Sequence, residues 1–414
     1  MCPDAPLCSA TPDATGPGIP CERVPGVLIL KLRALTVARQ SAAAVPGSLG
    51  VDDVDHALTV HRARRVRALF PSRTDNFVTA KMSEMSTYYI ARFSDDSNLD
   101  SLYDIFTQLP SVEQVEYDCF ASAAMIPNDP YFGSQWGLEH VSGHDISAAG
   151  AWEIVSGSPD VVLANVDTGV LYDHEDLRDN IWVNPGEDLD SDRVVMDADD
   201  IDSVDSDGNG YVDDLVGWDF VEGITGAWPG EDADTQDNDP RDFNGHGTHT
   251  AGTMAAVTNN GLGVAGVAGG FGDGGCRIMC VRIGFSMAAI GNVEVPVTTM
   301  SIVAQAFYYA ASNGATAINY SFLSGTGGGI EAAADFVTSS GSLLVVAAGN
   351  SANSAFGYLP WRSDVVTVAA VDSTGHRTWF TSHGAAVDLT APGIAIWSTY
   401  SAHHVPEYRA YSGT

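Results

Sequence analysis

The chain has 414 residues and a formal net charge of −34, from 53 acidic residues against 19 lysines and arginines. So acidic a surface repels nucleic acid and anionic membrane and favours divalent cations. No apolar run reaches the roughly 18 residues that a membrane helix needs, so no membrane span is expected, and six cysteines are too few for a disulfide scaffold of this length. Residues 1–23 are rich in Pro and Asp, carry Cys2, Cys8 and Cys21, and read as a disordered leader. Neither a basic n-region nor an apolar h-region follows Met1, so no signal peptide is visible. Residues 24–125 read as a small α+β domain. Val27–Leu32 and Tyr88–Phe93 are predicted strands. Asn98 to Leu109 places Leu99, Leu102, Ile105, Phe106 and Leu109 at helical spacing, and Val112–Tyr117 closes the unit as a strand. The basic stretch His61–Arg67 inside it reads as a solvated face, suited to docking on an acidic domain.

Residues 126–414 hold 38 acidic residues against 8 arginines and no lysine, a net of −30. Strand-like runs at Val161–Val166, Arg277–Ile283, Ala315–Ser321, Leu343–Ala348 and Val365–Val371 alternate with helical runs at Thr248–Val257 and Ile302–Asn313. That succession predicts an α/β fold with a doubly wound, mostly parallel sheet. Reactive groups collect at the C-terminal ends of such strands, and Asp167-Thr168-Gly169 ends the first of them. An aspartic protease also uses Asp-Thr-Gly, but it needs two copies and one is present. Asp205-Ser206-Asp207-Gly208-Asn209-Gly210-Tyr211-Val212-Asp213 sets oxygen donors at positions one, three, five, seven and nine, with glycine at six. This is the logic of an EF-hand calcium loop, although Val216 stands where the bidentate glutamate belongs and no helix–loop–helix is predicted. The insertion around it, about 187–242, holds 20 acidic residues against Arg193 and Arg241.

His246 lies in the glycine-flanked segment Asn244-Gly245-His246-Gly247-Thr248-His249 that opens a helix, and imidazole is suited to moving a proton at neutral pH. The pair His246 and His249 also admits zinc, but the His-Glu-x-x-His helix of metalloproteases is absent. Cys276 and Cys280 fall on one face of one strand, where bridging is badly placed, and read as buried thiols. Asn350 ends a strand and can offer an amide to a developing oxyanion. Tyr411-Ser412-Gly413-Thr414 closes the chain.

Together the Asp167, His246 and Gly413-Thr414 segments resemble the subtilisin-like serine proteases, or subtilases, whose acid, base and nucleophile occur in that order. The resemblance implies a serine endopeptidase acting on polypeptides, with Asp167 and His246 in the triad and Asn350 in the oxyanion hole. It also implies a nucleophilic serine directly after Thr414, so that the 414 residues alone should be hydrolytically inactive; Ser412 comes too early, with two residues between it and that position. By the same resemblance Ser321, Phe322, Leu323 and Gly349 line the substrate, with Leu323 where many relatives have glycine. Asp205, Asp207, Asn209, Tyr211 and Asp213 would hold structural calcium, and Asp176 would serve a further calcium site. Residues 24–125 would be an inhibitory propeptide on the catalytic domain 126–414, and the product a secreted monomer. A non-catalytic calcium-binding protein on a protease fold, or a zinc hydrolase, are the rival classes.

Overall fold

A computed structural model describes residues 23–33, 49–70, 85–94, 98–119, 125–272, 274–289, 293–323 and 325–414. The leader cysteines Cys2, Cys8 and Cys21 lie outside the described residues. The chain divides into two compact units, Met1–Ala123 and Ala124–Thr414.

The first unit contains β1 (Arg23–Leu32), α1 (Asp52–Val60), β2 (Arg65–Ala68), β3 (Tyr88–Arg92), α2 (Leu99–Thr107) and β4 (Val112–Cys119). Its sheet is antiparallel in the order β2-β3-β1-β4. Strand alternation sorts β1: Leu28, Leu30 and Leu32 join Val54, Ala57 and Leu58 of α1 and Leu102 and Phe106 of α2 in one core. Val27 and Ile29 pack with Ile90 in a smaller cluster. Asn98 caps α2 by accepting the Ser101 N–H at 3.1 Å. Arg62, Arg64, Arg65 and Arg67 are all exposed.

The second unit runs α3 (Ala148–Trp152), β5 (Val162–Asp167), β6 (Gly217–Asp219), α4 (His246–Ala255) and β7 (Arg277–Arg282). It continues through β8 (Phe285–Ala289), β9 (Val293–Val297), α5 (Met300–Ser312), β10 (Ala317–Tyr320), α6 (Ile330–Ser339) and β11 (Leu343–Ala347). It ends with β12 (Val366–Val371), β13 (Leu389–Pro392), β14 (Ile396–Ala402) and β15 (Val405–Tyr411). Seven strands form one parallel sheet in the order β13-β12-β11-β10-β5-β7-β6. The five predicted strands of this unit are all in it.

Side-chain alternation covers both faces of that sheet. Ala164, Val166, Met279 and Val281 pack with Val303, Phe307 and other residues of α5 and α6. Their strand neighbours Ile278 and Cys280 turn the other way, to Ala251 and Ala255 of α4. The fold is therefore α/β and doubly wound. Strand order reverses between β5 and β10, the kind of crevice where open α/β sheets bind ligands. Asp167 is the last residue of β5 and lies on the α4 side of the sheet, in register with Arg282 of β7. Cys276 and Cys280 are buried free thiols.

Candidate active site

Asp167 and His246 meet at this crevice. The His246 Nδ1–H donates to Asp167 Oδ1 at 2.6 Å, and the aspartate is fully buried. Burial pushes the imidazole down, but the charge and hydrogen bond of Asp167 more than offset it and leave the ring above its usual value. The side chain keeps 29% of its surface exposed, so Nδ1 is committed to the carboxylate while the ring still reaches solvent. This contact requires strand and helix to approach closely. Gly247 permits it, because a Cβ there would stand 2.0 Å from the Gly169 carbonyl oxygen.

A second carboxylate, which sequence reasoning passed over, ties the two segments together. Asp242 is fully buried and accepts from Thr168 Oγ1 at 2.9 Å, Gly245 N at 2.9 Å, Thr248 N at 2.8 Å and Thr248 Oγ1 at 2.6 Å. It thus satisfies orphan donors at the start of α4. Thr168 Oγ1 in turn accepts the Gly247 N–H at 2.8 Å. Burial holds the Asp242 carboxyl up at about 6 against these hydrogen bonds. The only available signal was an acid four residues before the expected general base, hidden among the acids of the insertion.

His249 takes no part in a metal cluster among the described residues. Its Nε2–H donates to the Ile396 carbonyl at 2.9 Å and its ring stacks on Tyr411 at 5.0 Å. Burial pushes its pKa down to about 4, so the ring is neutral at physiological pH.

Across the crevice, Asn350 Oδ1 accepts both the N–H and the hydroxyl of Thr414, each at 3.1 Å, and the Thr414 hydroxyl accepts the Gly349 N–H at 3.1 Å. Gly349 has φ of +98°, and a Cβ there would meet Leu323 at 2.5 Å. The Ser412 hydroxyl accepts the Ala395 N–H at 3.0 Å. His246, Asn319, Ser321, Asn350 and Thr414 line one cavity of about 520 Å³. His246, Ser321, Phe322 and Leu323 line a second of about 310 Å³. Phe322 stands edge-on to the His246 ring at 5.7 Å, and Leu323 is 61% exposed.

A buried aspartate thus aligns a part-exposed histidine, and that histidine shares a cavity with Asn350. A family model described as the subtilase family matches residues 158–414. The chain belongs to the subtilase family. Thermitase of Thermoactinomyces vulgaris is 34% identical to it over 291 residues, which cover 70% of this chain and 80% of thermitase. An extracellular protease of Xanthomonas campestris pv. campestris is 31% identical over 348 residues, 78% of this chain and 53% of that one. This subtilase also spans 63% of a thermophilic serine proteinase of Bacillus sp. (strain AK1), at 30% identity over 319 residues. Among solved structures, a protease of Pseudoalteromonas arctica PAMC 21717 superposes with a TM-score of 0.53 at 27% identity, covering 69% of this chain and 82% of that chain.

In the subtilase's acidic loop two residues of the predicted calcium set converge with a third carboxylate. Asp205 and Asp207 converge with Glu187, each offering an oxygen within 4.8 Å of the others. Glu187 Oε1 accepts the Ser206 N–H at 2.9 Å, while its Oε2 is buried and unpartnered. Three hard oxygen donors, one of them desolvated and unsatisfied, are suited to a hard divalent cation. Asn209 turns its Nδ2 to Asp207 and Asp214 at 3.0 and 3.1 Å. Asp213 turns to the Asp202 and Ser203 N–H groups, both at 3.1 Å, and the Tyr211 ring packs on Trp218, Phe220 and Tyr309. Asp176 lies apart from this loop and is fully buried. It accepts from Asn260 Nδ2 at 2.8 Å and Val264 N at 2.9 Å, and burial pushes it up to about 6, with the charge of nearby Asp129 adding to the rise.

Proposed function

We propose that this subtilase is a secreted serine endopeptidase made as a precursor and stabilised by calcium. The observation that carries the reading is the Asp167–His246 pair at the strand-order reversal, with Asn350 across the crevice. In that role Asp167 holds the imidazole with Nδ1–H toward itself and stabilises the imidazolium, leaving Nε2 to take the serine proton. The motif sets the nucleophilic serine directly after Gly413-Thr414, and the hydrogen bonds of Thr414 to Asn350 and Gly349 support that reading. The Asn350 amide donates to the oxyanion of the tetrahedral intermediate. Ser321, Phe322, Leu323 and Gly349 flank the peptide, and Leu323 narrows the pocket that receives the residue before the scissile bond.

Calcium, held by Asp205 and Asp207 with Glu187, supplies counter-charge to the insertion rather than chemistry; Asn209, Tyr211, Asp213 and Asp176 remain candidates of the sequence motif and the family resemblance. Residues 24–125 act as the enzyme's own inhibitor until they are cut away. Relatives named as extracellular proteases support the external destination.

A fluorophosphonate probe tests the assignment. A chain continued through a serine-led helix after Thr414 should be labelled, and the same chain with His246→Ala should not. The 414 residues alone should remain unlabelled. No labelling of the continued, folded chain would favour the non-catalytic calcium-binding reading, and labelling at Ser412 would displace the proposed nucleophile.

A further inference from the structure

Asp188, Asp190, Asp192 and Asp200 form a second acidic cluster, separate from the Glu187–Asp205–Asp207 group and carrying none of the residues that the calcium motif marks. Each offers a carboxylate oxygen, and all four oxygens lie within 4.8 Å of one another. Asp188 and Asp200 are 7% and 4% exposed, whereas Asp190 and Asp192 face solvent. The buried end holds the decisive atom. Asp200 Oδ1 accepts the Leu189 N–H at 2.8 Å, but Asp200 Oδ2 is buried with no hydrogen-bond partner. A desolvated carboxylate oxygen beside three more carboxylates is costly unless something cationic joins it. No arginine or lysine pairs with these four among the described ion pairs.

We propose that Asp188, Asp190, Asp192 and Asp200 bind a divalent cation of the calcium class, independently of the Asp205–Asp207 loop. The donor set is all hard oxygen. Calcium–oxygen distances of about 2.3–2.6 Å place opposite ligands roughly 4.6–5.2 Å apart, so four oxygens all within 4.8 Å of one another can share one ion with little rearrangement, and calcium accepts such an irregular, partly hydrated carboxylate set more readily than magnesium, which demands near-ideal octahedral geometry. Backbone N–H groups already hold the carboxylates in place: Asp188 Oδ1 accepts Asp192 N at 3.1 Å, and Asp188 Oδ2 accepts Arg193 N at 3.2 Å. The exposed side leaves room for the waters that complete a calcium shell.

The consecutive residues Glu187 and Asp188 therefore face different clusters. Two ions would fix that dipeptide from both sides and brace the head of the insertion.

Metal content decides the matter. The 414-residue chain, stripped with chelator and dialysed against calcium, is assayed by elemental analysis and by calcium titration calorimetry. Three variants are compared with it: Asp190→Asn with Asp192→Asn, Asp205→Ala with Asp207→Ala, and Asp200→Asn. The first pair is exposed and should fold normally, yet bind one calcium fewer than the parent. The second pair should keep that calcium. Asp200→Asn should also lose it, while melting at a higher temperature than the parent in excess chelator, because the unpartnered buried charge is gone. A merely structural aspartate would give the opposite shift. Unchanged calcium stoichiometry and affinity in both the Asp190/Asp192 and Asp200 variants would overturn the proposal, whatever happens at Asp205 and Asp207.

Discussion

The Asp167–His246 bond sets the protonation chemistry of the site. Because the carboxylate raises the imidazole above its usual value of 6.5 despite burial, a general base at His246 becomes neutral only above that pH. The acid limb of kcat/KM in a chain continued through the serine should therefore lie above pH 6.5. Asp167→Asn removes the charge that raises the ring, so residual activity should show a limb moved to lower pH, with turnover reduced by about 10³–10⁴. Asn350→Ala should leave the limb in place and reduce turnover by about 10²–10³. A pH–rate profile on the three proteins checks both statements, and an unmoved limb in Asp167→Asn would separate the aspartate from the base.

The start of α4 shows how one element is fixed by residues from three others. Asp242 gathers donors from Thr168 after β5 and from the first turn of α4, while the hydroxyls of Ser398, Thr399 and Ser401 on β14 donate to the carbonyls of His249, Thr248 and Asp242 at 2.7, 2.7 and 2.8 Å. Replacing Asp242 with alanine strands several buried donors and should cost about 2–4 kcal/mol. Asp242→Asn keeps one acceptor oxygen, and its cost should depend on pH. The folded carboxyl is raised to about 6 by burial, so the unfolded chain loses its proton first as pH climbs from near 3.8. Wild-type stability from this group is full below that range and is lost through pH 6. The penalty of Asp242→Asn should shrink between pH 4 and pH 7, as read by urea unfolding. A penalty that grows with pH would mean a carboxylate stabilised in its charged form.

The same elements explain what the sequence made legible. β5, β7, β10, β11 and β12 are near-continuous apolar runs, and burial on both faces writes that pattern directly into composition. Asp167 and His246 were legible because each ends or opens such an element beside glycines that the close approach demands. β6, the β8–β9 and β14–β15 hairpins and β13 are short or carry polar residues whose partners are distant in sequence. α1 did carry a signal, Val54, Ala57 and Leu58 at helical spacing, but within only nine residues. Asp242 and Glu187 were invisible as special acids, since nothing local distinguishes them from the other acids around them; only folding buries them.

At the scale of the whole molecule, charge is distributed in a way that makes propeptide inhibition testable. Residues 24–125 contain a core of their own, and their exposed Arg62, Arg64, Arg65 and Arg67 are a basic face on an otherwise weakly acidic unit. The other unit carries a net of −30 over 126–414. Two opposed effects act when the pieces are made separately. Net charges of like sign repel at long range, whereas an arginine face attracts an acidic surface at short range. At physiological ionic strength the Debye length is about 8 Å, which screens distant like charges far more than groups in contact. Short-range attraction should therefore win. Residues 24–125 added to a completed catalytic domain should inhibit it, inhibition should weaken as salt rises from about 0.15 to 1 M, and Arg64→Glu with Arg65→Glu should raise the inhibition constant roughly tenfold. Far-ultraviolet circular dichroism of the variant guards against simple unfolding. Inhibition that strengthens with salt and ignores both substitutions would show that net repulsion governs the encounter and that the arginine face is only solvated.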